Sequence, residues 1–338
     1  MEYFLTGATG FLGGELTRQL VEDGHQVVAL VRSSSKARDR GLVGAEGVRV
    51  VEGDVTEKAS MRDAMAGTDG VFHLAAWYRV GARDASVAEA VNVAGTRNVL
   101  ELMDELGVEK GVYTSTLAVF SGTGGRLVDE TDEPSGPFLS VYDRTKWEAH
   151  HRVARPMMRD GLPLVVVMPG VIYGPGDTSQ MGELLADYLR GDLPAVPRRT
   201  AYCWGHVEDT ARAHLRAMEA GRPGEDYIVA GHPRTLVEVL ELAEEITGVA
   251  PPPTISPAWF RALAPLAAVV EKAVSLPPDY RSETLRVLGG TTYLGDSSKA
   301  RRELGLDHRP LAEGLRETLA WLAEREEGKA TPDPVERP

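Results

Sequence analysis

The sequence predicts an α/β fold, a Rossmann-type doubly wound parallel sheet carrying a smaller C-terminal substrate lid. Three observations predict it. Short apolar runs alternate with amphipathic segments through the first half of the chain. A glycine-rich turn follows the first apolar run directly. The alternation breaks down after residue 170, where a second unit is expected.

The elements follow in order. Glu2–Thr6 reads as a strand, and Phe11–Asp23 as a helix with Leu12, Leu16 and Leu20 on one face and Gly24 as its stop. Gln26–Val31, Val48–Glu52, Gly70–Ala75, Gly111–Ser115 and Leu164–Met168 read as further strands, with helices at Ser60–Ala66, Val87–Leu106 and Tyr142–Arg159. Ligands of such sheets sit at the carboxyl ends of the strands, so the residues there are the functional candidates. Gly174–Thr178 is a Gly/Pro turn. After it come a short helix at Leu184–Arg190, a helix at Gly205–Ala220, a strand at Tyr227–Ala230 and an amphipathic helix at Leu236–Thr247. PPPTISP (Pro251–Pro257) reads as a stiff connector. Ala258–Val274 reads as an apolar helix interrupted at Pro265. It is either a lid helix packed on the sheet unit or a face for an apolar substrate or a membrane surface. Asp296–Leu304 and Leu311–Glu324 are closing helices. The expected partition is residues 1–174, about 201–232 and 291–326 for the sheet domain, about 175–200 and 233–290 for the lid, and 327–338 for a disordered tail.

Composition narrows the function. The 338 residues are 43% hydrophobic and 26% charged, as in an ordinary folded domain. The single cysteine, Cys203, excludes an internal disulfide and a cysteine-based zinc cluster. His150 and His151 are adjacent in a helix and diverge, so no metal site is expected. MEYFLTGATG has no basic n-region, and Ala262–Val270 is far too short for a membrane span. A cytoplasmic protein is expected. Acidic residues outnumber basic ones, 50 to 37, and a net charge of −13 repels nucleic-acid phosphates. The expected partner is a small molecule.

Thr6-Gly7-Ala8-Thr9-Gly10-Phe11-Leu12-Gly13 joins the first strand to the first helix. Gly7, Gly10 and Gly13 permit a tight turn and a close backbone approach, and the helix start offers free N–H groups to a pyrophosphate. Thr9, Phe11 and Leu12 share that turn. An NAD site would place an acid after the second strand to hold the ribose. Here stand Arg32 and, four residues on, Lys36, which suit a 2′-phosphate, so NADP(H) is preferred with NAD(H) as the alternative. A solvated loop charge is the competing reading of Arg32. Asp54 follows the third strand and is placed for an adenine amino group, or to cap the segment to Glu57.

Tyr142 and Lys146 lie four residues apart, hence on one helical face. A phenol is a poor acid or base at neutral pH, and a nearby ammonium should lower its pKa. Tyr142 can then exchange a proton with a carbonyl oxygen as hydride moves at carbon. A hydroxyl after the fifth strand should orient that oxygen; Thr116 is the choice and Ser115 the competitor, because a one-residue shift reverses the face. Trp77 and Tyr78 follow the fourth strand and could shape a substrate wall or pack in the core.

TGATGFLGG, GDV at 53–55, HLAA at 73–76, NVAGTRNVL at 92–100, YTST, YDRTK and PGVIYGPGD at 169–177 occur in one order over residues 4–232. With GHVEDTARAH at 205–214 they resemble the extended short-chain dehydrogenase/reductase family, also called the NAD-dependent epimerase/dehydratase family. HLAAWYRVGARD and KARRELGL point to its dihydroflavonol-reductase-like and hopanoid-associated sugar-epimerase-like branch. The resemblance implies a nucleotide role for Gly7, Gly10 and Gly13 and adenine contacts at Asp54 and Val55. It implies a cofactor lining at Ala75 and Ala76, support from Asn92, and nicotinamide contacts at Pro169 and Val171. Thr116, Tyr142 and Lys146 would be the catalytic group, and Tyr173 a further substrate candidate.

Departures from the family pattern refine this. Met168 stands where an arginine often precedes Pro169. Leu117 and Ala118 occupy the positions of the dehydratases' Asp-Glu pair, which disfavours dehydration. Arg198, Arg199, Arg234 and Arg281 could serve a nucleotide diphosphate. The expected activity is an NADP(H)-dependent carbonyl reductase or alcohol dehydrogenase. The alternatives are an NDP-sugar 4-epimerase with tightly held cofactor and a non-catalytic NADP(H)-sensing protein. A homodimer through the helices at 87–106 and 142–159 is left open.

Overall fold

Seven short runs rich in Val, Leu, Ile and Phe form one parallel sheet in the computed structural model, which describes residues 1–78, 85–134, 137–271, 274 and 281–330. In chain order the strands are β1 (Glu2–Thr6), β2 (Gln26–Val31), β3 (Val48–Glu52), β4 (Gly70–His73), β5 (Gly111–Thr114) and β6 (Leu164–Pro169). Next come β7 (Val171–Tyr173), β8 (Val196–Pro197), β9 (Ala201–His206) and β10 (Asp226–Val229). The last are β11 (His232–Thr235), β12 (Thr254–Ile255) and β13 (Thr292–Tyr293). The main sheet has the order β10-β6-β5-β4-β1-β2-β3. Alternate residues feed opposite faces. Phe4, Val28, Val71, Tyr113 and Val166 enter one core, and Leu5, Ala29, Phe72, Val112 and Val167 the other.

Helices cover both faces. Two of them carry π-helical turns: Glu89–Gly95 between Ser86–Ala88 and Thr96–Glu105, and Ala149–Ala154 between Val141–Glu148 and Arg155–Arg159. Such turns re-aim side chains and are frequent at functional sites. These two bury Asn92 and His150.

A second sheet is built on β9. β11 pairs with it antiparallel, and β7 and β13 parallel. Two of those strands continue directly from the main sheet, β6 into β7 through Gly170 and β10 into β11 through Gly231. Both glycines press on β9. A Cβ at Gly170 would lie 2.3 Å from the Cys203 carbonyl oxygen, and one at Gly231 1.8 Å from that of Trp204. A third core joins helices Gln180–Arg190, Leu236–Thr247 and Leu311–Ala330 through Leu185, Leu240, Leu315 and Leu319.

Several sequence expectations need correction. Gly205 and His206 belong to β9, because His206 pairs with Tyr173; the helix is Val207–Ala220, and His206 caps it by accepting the Glu208 amide. The connector Pro251–Pro257 contains β12, which pairs with β8. The apolar helix is Pro257–Val270 and continues through Pro265; residues 272–273 of the expected span lie outside the described residues. The closing helix Leu311–Ala330 packs both with helices of the expected lid and with Tyr173 and Trp204 of the expected sheet domain. It also takes in residues 327–330 of the expected tail, and 331–338 lie outside the described residues.

The first helix, Phe11–Glu22, contrasts two neighbouring glycines. A Cβ at Gly13 would stand 2.1 Å from the Gly7 carbonyl oxygen, whereas one at Gly14 meets nothing closer than 3.6 Å. Gly13→Ala is expected to lower unfolding stability by about 1–3 kcal/mol or more. Gly14→Ala should raise it by about 0.5–1 kcal/mol. Urea titration of both variants checks the pair.

Candidate active site

The nucleotide end is open backbone. Gly7 has φ +86°, and its carbonyl accepts the Gly10 amide at 2.9 Å. Gly10 caps Phe11–Glu22 without a side-chain hydrogen bond, and no acid stands in the first turn. The helix's first amides are thus free for an anion. A Cβ at Gly7 would reach 2.8 Å from the Ala75 amide nitrogen. The cradle therefore fits a dinucleotide pyrophosphate. Thr9, Phe11 and Leu12 are partly exposed around it.

At the end of β2, Arg32 and Lys36 are exposed, and neither makes an ion pair among the described residues. Ser33 caps the helix Ser34–Asp39. Glu52, opposite Val31, accepts the Ser34 amide at 2.8 Å, and hydrogen bonds from Ser34 hold its carboxyl below the usual range. Asp54 Oδ1 accepts the amide and hydroxyl of Thr56 at 2.9 and 2.8 Å, an Asx turn that employs one of its oxygens. Val55 is buried, and its carbonyl accepts Asn98 Nδ2 at 2.9 Å.

After β4, the Ala75 amide donates to Thr6 Oγ1 at 3.1 Å and Ala76 is exposed. Asn92 accepts the Trp77 amide at 2.7 Å and donates to the Trp77 carbonyl and to Thr145 Oγ1, both at 3.0 Å. This one amide ties the post-β4 loop to the helix Val141–Glu148.

Ser140 caps that helix by accepting the Asp143 amide at 3.0 Å. Tyr142 and Lys146 share a face of it, and the Thr116 side chain lies near enough to the Tyr142 phenol to pull its pKa down, against the larger effect of burial. Ser115 turns the other way and shares a 3.0 Å hydrogen bond with His150 Nδ1; His150 Nε2 in turn meets Asp226 Oδ2 at 3.1 Å. Burial, and next the neighbouring Tyr78, raise the Tyr142 phenol above its ordinary value. This differs from the expectation that Lys146 lowers it. The reason is that Lys146 Nζ donates to Tyr113 Oη at 3.1 Å and to the Thr114 carbonyl at 2.8 Å, over the Tyr113 ring. Lys146 is only 2% exposed, and burial lowers its ammonium to about 7.

A polar chain runs on beneath Lys146. Tyr113 bonds to Thr96, Thr96 Oγ1 meets His73 Nε2 at 3.0 Å, and His73 Nδ1 meets Thr6 Oγ1 at 2.8 Å. Burial drives His73 down to about 3, so the ring is neutral at pH 7.

The substrate side is phenolic. Tyr78 sits edge-on to Tyr142 with ring centroids 4.8 Å apart, and Tyr202 of β9 stacks on Tyr293 of β13 at 6.2 Å. Tyr293 Oη donates to Asp143 Oδ2 at 2.8 Å, and Ser140 and Ser121 hydroxyls donate to the same carboxylate at 2.6 and 3.2 Å. Burial raises Asp143 and Asp177, and Asp177 Oδ2 is buried without a partner among the described residues. Both carboxylates act on Tyr78. Trp77 is partly exposed beside this group, Pro169 is buried at the end of β6, and Val171 is half-buried on β7. Tyr173 does not join the group. It is 1% exposed and packed edge-on to Trp204 and His206. The sequence reading missed Tyr113, Asp143, Tyr202 and Tyr293; Tyr113 lies within YTST and Asp143 within YDRTK, two motifs it used.

The profile of the NAD dependent epimerase/dehydratase family matches residues 3–230. The chain belongs to this family. It is thus an NAD(P)-dependent enzyme of the extended short-chain dehydrogenase/reductase type. It is 32% identical over 333 residues to a Synechocystis sp. protein carrying the name dihydroflavonol 4-reductase, across 95% of this chain and 94% of that one. It is 34% identical over 319 residues to a Stigmatella aurantiaca 4-hydroxy-2-methyl-3-oxo-4-farnesyl-3,4-dihydroquinoline-1-oxide ketoreductase, across 90% and 91%. The crystal structure of gox2253 superposes with a TM-score of 0.83 at 30% identity, covering 96% of this chain and 98% of that one. Family members use a nicotinamide cofactor, and the open glycine cradle suits one.

The buried ammonium makes a stability prediction. An unfolded lysine titrates near 10.4 and the folded one at about 7. The unfolded chain therefore takes up the proton first, and the resulting destabilisation is full below pH 7 and fades as the pH rises toward 10. Relative to Lys146→Met, the wild-type protein should gain stability between pH 7 and 9, by up to about 1.4 kcal/mol per pH unit. Denaturant melts of both proteins at the two pH values check it.

Proposed function

We propose that this family member is an NADP(H)-dependent carbonyl reductase acting on an apolar, ring-bearing ketone or aldehyde. The observation that carries the reading is the Tyr142 phenol, set near Thr116 and edge-on to Tyr78 at the carboxyl edge of the sheet. When bound, the cofactor supplies the hydride for reduction or takes it in the reverse direction.

The chain's residues do the rest. Gly7, Gly10 and Gly13, with Thr9, Phe11 and Leu12, hold the pyrophosphate, and Arg32 and Lys36 take the 2′-phosphate. Asp54 and Val55 serve the adenine, and Ala75, Ala76, Asn92, Pro169 and Val171 line or support the nicotinamide end. Tyr142, protonated at neutral pH like any phenol, is placed to give a proton to a carbonyl oxygen; burial raises its pKa and so makes it a weaker acid, which a positive charge nearby would offset. Thr116 orients that oxygen. Lys146, poised at about 7, restores or stores charge beside the ribose. The segments about 175–200 and 233–290 form the substrate lid. The lone, buried Cys203 accords with a cytoplasmic enzyme.

The chemistry of the wall favours an apolar substrate over a nucleotide sugar. Tyrosine faces bury rings well, and the charges acting on Tyr78 are the carboxylates Asp143 and Asp177, which repel a diphosphate. Arg198 is engaged with Thr254, and Arg234 with the Pro233 carbonyl. Leu117 and Ala118 are buried and apolar where dehydratases carry acids. The ketoreductase relative, whose named substrate bears a farnesyl chain, supports the same choice.

Tyr142→Phe should reduce kcat for ketone reduction by about a hundredfold or more while NADPH binding, followed by fluorescence, stays within about threefold. Full activity in that variant would remove the mechanism. Arg32→Asp should shift the NADPH-to-NADH preference by about tenfold or more toward NADH, because the charge facing the 2′-phosphate reverses; an unchanged ratio of kcat/KM values would overturn the cofactor choice.

A further inference from the structure

The helix Pro257–Val270 is amphipathic the wrong way round for water. Ala264 and Ala267 are buried against Leu285 of the helix Ser282–Leu288, and Phe260 packs on them partly buried. Several of its other large residues face outward. Trp259 is 67% exposed, Leu266 61% and Val269 65%, with Leu263 and, beyond the helix, Val274 also exposed. Positions 259, 263, 266 and 270 recur at helical spacing, and Arg261 is the one charged residue in the 14. Other exposed large apolar residues of the chain, such as Val43, Val87 and Leu127, are scattered singly, so this cluster is local.

From this we propose that the face of Trp259, Leu263, Leu266 and Val269 docks on the surface of a lipid bilayer with neutral headgroups. The helix is 14 residues long, about 21 Å, too short to cross the roughly 30 Å hydrocarbon core. Among the described residues no helix is long and apolar enough to span a membrane. A short helix with one apolar face lies in the interface plane instead, its tryptophan at headgroup level. A second copy of the chain fits the face less well. The exposed apolar area is on the order of 500 Å², short of the about 800 Å² per partner that a standard stable interface buries. Charge selects the lipid. A net charge of −13 is repelled by anionic headgroups, so contact must be apolar and with a neutral surface.

The docking helix also adjoins the site. A cavity of about 510 Å³ is lined by Ala264 and Pro265 of this helix on one side and by Ser121 and Leu139 on the other. Ser121 donates to Asp143, the residue after Tyr142. A lipophilic molecule leaving the bilayer at this helix would enter beside the tyrosine wall. The docking itself does not depend on which reaction the site performs.

Flotation of the full chain with phosphatidylcholine vesicles tests it. The wild-type protein should float with the vesicles, insensitive to 0.5 M NaCl, and about 30% phosphatidylserine should weaken binding. Leu266→Ser/Val269→Ser and Trp259→Ser alter exposed side chains only, and circular dichroism should report unchanged folds. Their vesicle partitioning should fall at least about tenfold. Wild-type protein left unbound, or variants that float equally well, would overturn the proposal. So would a concentration-dependent dimer in sedimentation that the same variants abolish, since a second copy would then cover the face.

Discussion

One buried amine sets the geometry of the site. An ammonium taken out of water must find acceptors or lose its proton, and Lys146 does some of both. Its two acceptors, the Tyr113 hydroxyl and the Thr114 carbonyl, belong to β5. The helix Val141–Glu148 is therefore fixed in rotation over that strand, and Tyr142, one turn earlier, is set against Thr116. The acceptor Tyr113 is itself held by Thr96, and beyond it His73 and Thr6 continue the chain into β4 and β1. Buried polar groups survive only when partnered, so five elements that diverge in sequence are obliged to meet at one place.

The two ends of the cleft differ in electrical character. At the nucleotide end, backbone amides are bare and the cations Arg32 and Lys36 stand at an exposed rim. At the substrate end, burial raises the Tyr202 phenol, and the carboxylates Asp143 and Asp177 act in the same direction on the more exposed Tyr78. Such a wall offers hydrogen-bond donors and flat apolar faces together, without a fixed positive charge from Tyr78, Tyr202 or Tyr293. On the proposed function, an anionic dinucleotide and an uncharged carbonyl compound would occupy adjacent halves without competing for the same groups.

Legibility in the sequence followed the strength of local pattern. β1, β2 and β3 were read to the residue, because each is a run of apolar residues punctuated by turn chemistry. The glycine cradle and the Tyr142–Lys146 spacing were readable because backbone approach and helical period leave marks in sequence. The second sheet was not. β13 is two residues long, below any period, and is defined only by its pairing with β9; β8 and β12 are as short and pair with each other. Tyr202 and Tyr293 were missed for that reason. Asp143 was visible inside YDRTK, but its role depends on Tyr293, 150 residues away. His206 was read as a helix start; it both caps that helix and closes β9, and a one-dimensional pattern registers only the first.

The glycines flanking β9 have a mechanical consequence. Because β7 and β11 leave the main sheet by way of Gly170 and Gly231, each pressed against the backbone of Cys203 or Trp204, the two sheets are riveted rather than hinged. The wall bearing Tyr202 thus keeps a constant height above the strand ends, like a fixed jaw. Guests of different bulk must be accommodated by displacement of the outer helix pair, Pro257–Val270 and Ser282–Leu288, whose own core is just a few side chains. The vise in this enzyme tightens from its rim, and the rigid half decides which shapes are worth gripping.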